Sequence, residues 1–286
     1  MKLKTNRTAS FLVVTGVYIL AAAVGIVTYR ALELDWRLAL LIADVAATVF
    51  TFLFSVIFRN ASVYDPYWSV QPMVILIALA VGQPMNGVRW GLLAAVCLWG
   101  IRLTANWAYT FHDFTYEDWR YRMLREKTGV FYPVINFVGI HMVPTLVVYL
   151  ATLPAAAAFR EPVEGNVWFW LGLCISFGAA VLQGSADIQM HRFRKLRTGG
   201  FIRTGLWKHS RHPNYLGEIC MWWGIGLACL AVMPGKWFYL AGAVANTVLF
   251  LAVSIPMADN RQSAKPGFAQ YKAQTRMLLP IPRLHK

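Results

Sequence analysis

The chain has 286 residues, of which 58% are hydrophobic and 14% charged, and its formal net charge is +14. Soluble domains are roughly a quarter charged, so this composition excludes an ordinary soluble domain. The apolar residues come in long blocks, so the positive balance reads as membrane topology and anion attraction, with no case for nucleic acid.

A run of about 20 apolar residues crosses ~30 Å of hydrocarbon as a helix. In chain order, spans are predicted at 11–29, 38–58, 69–82, 90–110, 132–153, 166–186, 214–232 and 237–256. The predicted fold is an all-α polytopic transmembrane helical bundle, one membrane domain over 1–286. The stretch after MKLKTNRTAS outruns the apolar core of a signal peptide and has no small-residue cleavage site, so it is expected to stay as the first span. The third span is short and ends at Gly82, Pro84 and Gly87. It is kept as a crossing because the basic residues then alternate: 21 of the 27 Lys and Arg fall on one side, five on the other, and Arg102 within a span. That bias places both termini and the large loops in the cytoplasm. Cys97, Cys174, Cys220 and Cys229 lie in apolar segments without CxxC spacing and read as inert thiols.

Polar residues concentrate in 112–129, 187–215 and 257–286. Arg192, Arg194, Lys195, Arg197, Arg203, Lys208 and Arg211 all fall between 192 and 211. Pro213 suits the first turn of a helix. The positive end of that helix would face the cluster, so an anion site is expected there from backbone N–H, imidazole and guanidinium groups. Neither a Rossmann glycine turn nor a P-loop is present, and Gly224-x-Gly226 reads as helix packing. His209-x-x-His212 lacks further ligands, so no metal is expected. Glu218 follows Asn214 by one helical turn on the same face. A carboxylate inside a membrane helix is either functional or ion-paired, here with Arg211 or a neighbour. Asp44 and Arg102 lie mid-span and either pair or face a cavity. Arg102, Asn106 and Tyr109 form one polar stripe, while His141 reads as a satisfied structural histidine.

The order Asp187…Arg194…Gly205-Leu206-Trp207…Arg211-His212-Pro213-Asn214-Tyr215-Leu216-Gly217-Glu218, with the tail Gly267-Phe268-x-x-Tyr271…Leu279-Pro280, resembles the steroid 5-alpha reductase family. It is most similar to a bacterial branch of that family. The resemblance covers 60–286 and is strong over 183–286, which it implies is the cofactor-binding half. A shorter R-H-P-x-Y-x-G pattern is shared with isoprenylcysteine carboxyl methyltransferases. Those enzymes usually carry a Glu-Glu pair where this chain reads Met257-Ala258-Asp259-Asn260.

The resemblance implies a membrane-embedded, NADPH-dependent reductase of a carbon–carbon double bond conjugated to a carbonyl, in a lipophilic, steroid- or isoprenoid-like substrate. It implies phosphate contacts from Arg194, Arg203, Arg211, His212 and Arg120, and nucleotide contacts from Asp187, Asn214, Tyr215, Glu218 and Tyr271. It also implies a bacterial inner membrane. Asp65 falls where the family has a carbonyl-polarising Glu, and Trp99 where it has a Tyr; Asp65, Tyr67 and Tyr109 are the candidate catalytic groups, with Tyr64 as a substitute phenol. Two other readings are an S-adenosylmethionine-dependent membrane methyltransferase and a non-catalytic bundle holding anionic lipid.

Overall fold

The computed structural model describes residues 4–196 and 199–281, so Arg197 lies outside the described residues. The chain runs through α1 (Arg7–Ala31), α2 (Trp36–Phe58), α3 (Tyr67–Ala80), α4 (Gly87–Thr110), α5 (Trp119–Thr128), α6 (Tyr132–Val134) and α7 (Val143–Arg160). It continues through α8 (Val167–Lys195), α9 (Leu206–His209), α10 (Pro213–Val232), α11 (Ala241–Leu249), α12 (Ile255–Ser263) and α13 (Phe268–Gln274). No β-strand occurs among the described residues. Two π-helical stretches, Ile135–Met142 and Phe250–Ser254, lead into α7 and α12.

Among the described residues, seven helical stretches are long and apolar enough to cross a membrane, including the continuous Trp119–Arg160 and Pro234–Ser263. The expected eighth, α3, has 14 residues. At ~1.5 Å per residue it rises about 21 Å, short of a full crossing. Gly82, at φ 78°, lies just past its end.

Side-chain caps set several starts, as the sequence chemistry requires. Asn6 accepts from the Ala9 N–H, Asp35 from Arg37, Asp118 from Arg120 and Asn166 from Phe169. Arg59 closes α2 in the left-handed region, with its N–H on the Ser55 and Val56 carbonyls. Helix α8 outruns its apolar stretch because Asp187–Lys195 contains no Gly or Pro. Its last turn holds Arg192, Arg194 and Lys195, which suit the negative end of the helix dipole. Asp187 and Arg194, expected in a loop, are therefore on a helix.

The chain divides into two compact units, 1–85 with 100–160, and 86–99 with 161–286. In the first unit, a methyl group added at Gly25 of α1 would lie 3.6 Å from the Ala43 carbonyl and from Ala47 of α2, and the buried ring of Tyr67 joins Ala21, Ala47 and Tyr64 in one cluster.

The second unit is organised by α8 against α10. A methyl group added at Gly224 would sit 2.7 Å from the Gly172 carbonyl, one at Gly172 2.7 Å from the Ala228 nitrogen, and one at Gly217 2.8 Å from the Ala179 carbonyl. Small residues let membrane helices approach closely where burial of oil in oil gives no driving force. Gly224→Ala should therefore destabilise the protein by about 1–3 kcal/mol. Gly16→Ala, with nothing within 4 Å of the new methyl, should leave the melting temperature nearly unchanged. Thermal unfolding of both variants in one detergent checks the pair.

Candidate functional site

In the second unit, the expected anion-binding residues separate into groups with different duties. Arg211 is 6% exposed and Asp259 5%. The Arg211 guanidinium reaches the Asp259 carboxylate at 3.0 Å, and its other terminal nitrogen donates to the carbonyls of Thr275 and Lys272. His212 Nε2 lies 2.9 Å from the other Asp259 oxygen, and the His212 ring stacks on Tyr215. Tyr215 in turn tilts against Phe250. Asp259 and the C-terminal backbone thus hold two side chains expected to grip phosphate. The physical reason is local: a carboxylate in a basic tail binds the nearest buried cations. The Tyr271 hydroxyl, expected on a nucleotide, donates to the Trp207 carbonyl, and burial pushes this phenol up to about 12. It straps α13 to the segment before α10.

Glu218 meets three neutral donors. Its Oε2 accepts from the Trp99 indole at 2.8 Å and the Gln183 amide at 2.7 Å, and its Oε1 from the Trp222 indole at 3.0 Å. The carboxylate is 1% exposed and joins α4, α8 and α10. Trp99, at the position where the resemblance implies a carbonyl-polarising phenol, spends its N–H inside this box.

A second set of polar residues lies along α8 and beside it. Asn214 donates to the Asp187 carboxylate at 3.4 Å. That contact turns its amide nitrogen toward Asp187 and leaves its buried Oδ1 without a donor among the described residues. Arg194 lies seven residues after Asp187 on the same face, about 10 Å along the axis. Burial and the charges of Arg261 and Arg194 hold the Lys265 ammonium below its ordinary value, so these three cations form one positive cluster. Lys265 also donates to the Gly200 carbonyl at 2.7 Å. Arg194 and Arg203 are both exposed. A strip with a hydrogen-bonding pair at one end and clustered cations at the other fits the length and polarity of a nucleotide phosphate.

In the first unit, Asp65 is part-buried, between α2 and α3 in the chain, and accepts a hydrogen bond from Tyr121 of α5. Burial pushes its carboxyl up to about 7; Asp118 adds to the rise, and Arg120 opposes it. At that value about half the carboxyl is protonated at neutral pH, and more below. Arg120, expected on phosphate, pairs with Asp118 at 2.8 Å. The loop carrying Asp65 is fixed by Asn60, whose amide donates to the Phe114 and Tyr116 carbonyls, and by Ser62, which accepts from the Asp118 N–H. Tyr67 gives its hydroxyl to Asp44 at 2.8 Å and not to Asp65, and Gln71 donates to the other Asp44 oxygen. Asp44 is thus held by neutral donors of α3. Tyr109 is 49% exposed.

Sequence reasoning passed over Tyr121, Gln183 and the role of Asp259. Asp259 carried a signal, as a lone acid in a basic tail. Gln183 carried another, four residues before Asp187 on the same helix. Tyr121 carried none, since its pairing with Asp65 joins residues 56 apart.

These features define a polytopic helical integral membrane protein, with a polar strip at the end of one membrane helix and, in the other unit, a carboxyl whose pKa burial raises. The family described as a protein of unknown function, DUF1295, matches residues 51–275, and the chain belongs to it. The match takes in both Asp65 and the Asp187–Asn214 strip. The chain is also similar to a Schizosaccharomyces pombe protein described as "Uncharacterized protein C594.04c". They are 28% identical over 220 residues, 67% of this chain, and the chain spans 60% of that relative's length. No solved structure matches the chain.

Proposed function

We infer that the protein is an NADPH-dependent membrane reductase of the steroid 5-alpha reductase type, acting on a double bond conjugated to a carbonyl in a lipophilic substrate. The observation that carries this reading is the strip on α8 and α10: an Asn214 oxygen awaiting a donor beside Asp187, and the Arg194–Arg261–Lys265 cluster about 10 Å on. Asp187 and Asn214 would hold the nucleoside part, with Arg194, Arg203, Arg261 and Lys265 on the phosphates. NADPH, when bound, supplies the hydride. Arg211, His212, Tyr271 and Glu218 hold the walls of the strip through Asp259, the C-terminal backbone and the tryptophan box. In the first unit, Asp65 keeps a proton at its carboxyl oxygen near neutral pH, with Tyr121 orienting it, and can give that proton to a carbonyl oxygen that gains charge.

Three cations gathered at one end of the strip favour a polyphosphate over the nearly neutral S-adenosylmethionine. Asp259, in the region where the methyltransferases carry their acidic pair, is consumed by Arg211 and His212. The resemblance to a bacterial branch favours a bacterial inner membrane, and the charge bias favours both termini in the cytoplasm, which requires α3 to complete a crossing.

Arg194→Ala and Lys265→Ala should each weaken NADPH binding about tenfold, and more at low salt, because each removes a phosphate contact. Asn214→Leu should weaken it without changing the salt dependence. Tryptophan quenching at two salt concentrations reads all three. Equal affinities across the series would remove the strip from the reading.

A further inference from the structure

His141 lies on the π-helical stretch Ile135–Met142 of the first unit and is 0% exposed. Its Nδ1 lies 2.9 Å from the Asn136 carbonyl oxygen. A carbonyl only accepts, so Nδ1 carries the proton and Nε2 keeps a bare lone pair. That lone pair has no partner among the described residues. The expectation of a satisfied structural histidine is therefore met at one nitrogen only. A π-helical widening is uncommon and recurs at functional sites.

Two further buried acceptors of the same unit lack a donor: Asn136 Oδ1 and Gln71 Oε1. The orientation of Gln71 is fixed, because its amide nitrogen faces the Asp44 carboxylate at 2.8 Å. The surroundings of His141 are aromatic. The Tyr64 ring is 4.5 Å away and the Phe52 ring 5.2 Å, edge-on. The Tyr64 hydroxyl is already bonded to Thr145 at 2.8 Å, and Thr145 meets Thr48 at 3.0 Å. Those three hydroxyls thus bond to one another, and the His141, Asn136 and Gln71 atoms left over are acceptors.

A ketone oxygen has nothing to give them, whereas a hydroxyl does. We propose that His141 Nε2 accepts the hydroxyl of a lipophilic alcohol, so that the interior of the first unit is a binding subsite for the hydroxyl end of a hydrophobic ligand. This deepens the reductase reading, on which it rests for the lipophilic substrate, by making that substrate a hydroxylated one. The aromatic rings bound the apolar part, and His141 fixes the polar end within the membrane layer.

The full-length protein in nanodiscs is titrated with farnesol, dodecanol and a sterol, each beside its own methyl ether. The ether keeps the shape and removes the donor. At least one alcohol should bind wild type about tenfold more tightly than its ether, the worth of one buried hydrogen bond. His141→Phe should lower that alcohol to the affinity of its ether. Should this variant fail to fold, the ¹⁵N resonance of Nε2 in histidine-labelled wild type gives the same answer, shifting with the alcohol and not with the ether. If no alcohol outbinds its ether, water is the partner of His141 and the proposal fails. It fails equally if His141→Phe keeps the preference. An NADPH titration of the same sample separates the two ideas: loss of NADPH binding sinks the reductase reading and leaves an alcohol preference standing.

Discussion

Asp259→Ala is expected to cost about 3–5 kcal/mol of stability, because it strands the buried Arg211 guanidinium, which no other carboxylate among the described residues holds. Arg211 and His212 both bond to Asp259, and Lys272 lies 3.5 Å from it. With the carboxylate gone, a guanidinium cannot shed its charge. Arg211 would keep its charge in a site where it is 6% exposed, left with the carbonyls of Thr275 and Lys272 among the described residues. Those same bonds fasten the 272–276 backbone, which also pairs with Ser210 and Arg211 just before α10. The loss should appear as a lower melting temperature and as early proteolysis of the C-terminal segment. The double variant Arg211→Met/Asp259→Leu should recover much of it, since removing both charges also removes the desolvation penalty. A site built mainly for phosphate predicts the opposite order: little loss of stability on removing Asp259, and tighter binding of anions.

Glu218→Leu is the second large expectation. It leaves the indole N–H groups of Trp99 and Trp222 and the amide of Gln183 without their acceptor, in a position 1% exposed. Each buried donor left unpaired costs about 1–3 kcal/mol, so the sum should exceed about 3 kcal/mol even after partial relaxation. Glu218→Gln keeps one acceptor oxygen and should lose about half as much. Two of the three donors are tryptophans, so the emission spectrum should shift together with the melting curve. Were Glu218 a ligand contact instead, Glu218→Gln would leave the melting curve unchanged and weaken nucleotide binding alone.

The bundle was legible because hydrophobic length is a property of consecutive residues. Pro213 marked the start of α10, and glycines at 217 and 224 follow from the closeness of α8. Helix α3 shows where length reasoning strains: charge alternation demanded a crossing from a segment that forms 14 residues of helix. The candidate site was legible as composition and not as pairing. Sequence told that cations gather near residues 192–211, but not that Asp259, 48 residues on, claims Arg211. It marked Glu218 as costly in a membrane helix, yet its partners come from residues as far off as Trp99, 119 positions away. An indole reads as interface belt or packing until a carboxylate is found against its N–H. His141 was legible as buried, but which nitrogen is satisfied depends on a carbonyl presented by a π-turn.

The central claim is that the strip beside α8 and α10 takes a phosphorylated nicotinamide nucleotide. The measurement that tests it most directly is equilibrium binding of NADPH and of S-adenosylmethionine to the same detergent-purified, full-length protein, followed by fluorescence and calorimetry. The predicted result is saturable NADPH binding with a Kd of roughly micromolar or tighter, about −8 kcal/mol, weakened by salt and by Arg194→Ala, with no binding of S-adenosylmethionine. Saturable S-adenosylmethionine binding without NADPH binding, or binding of neither, would contradict it.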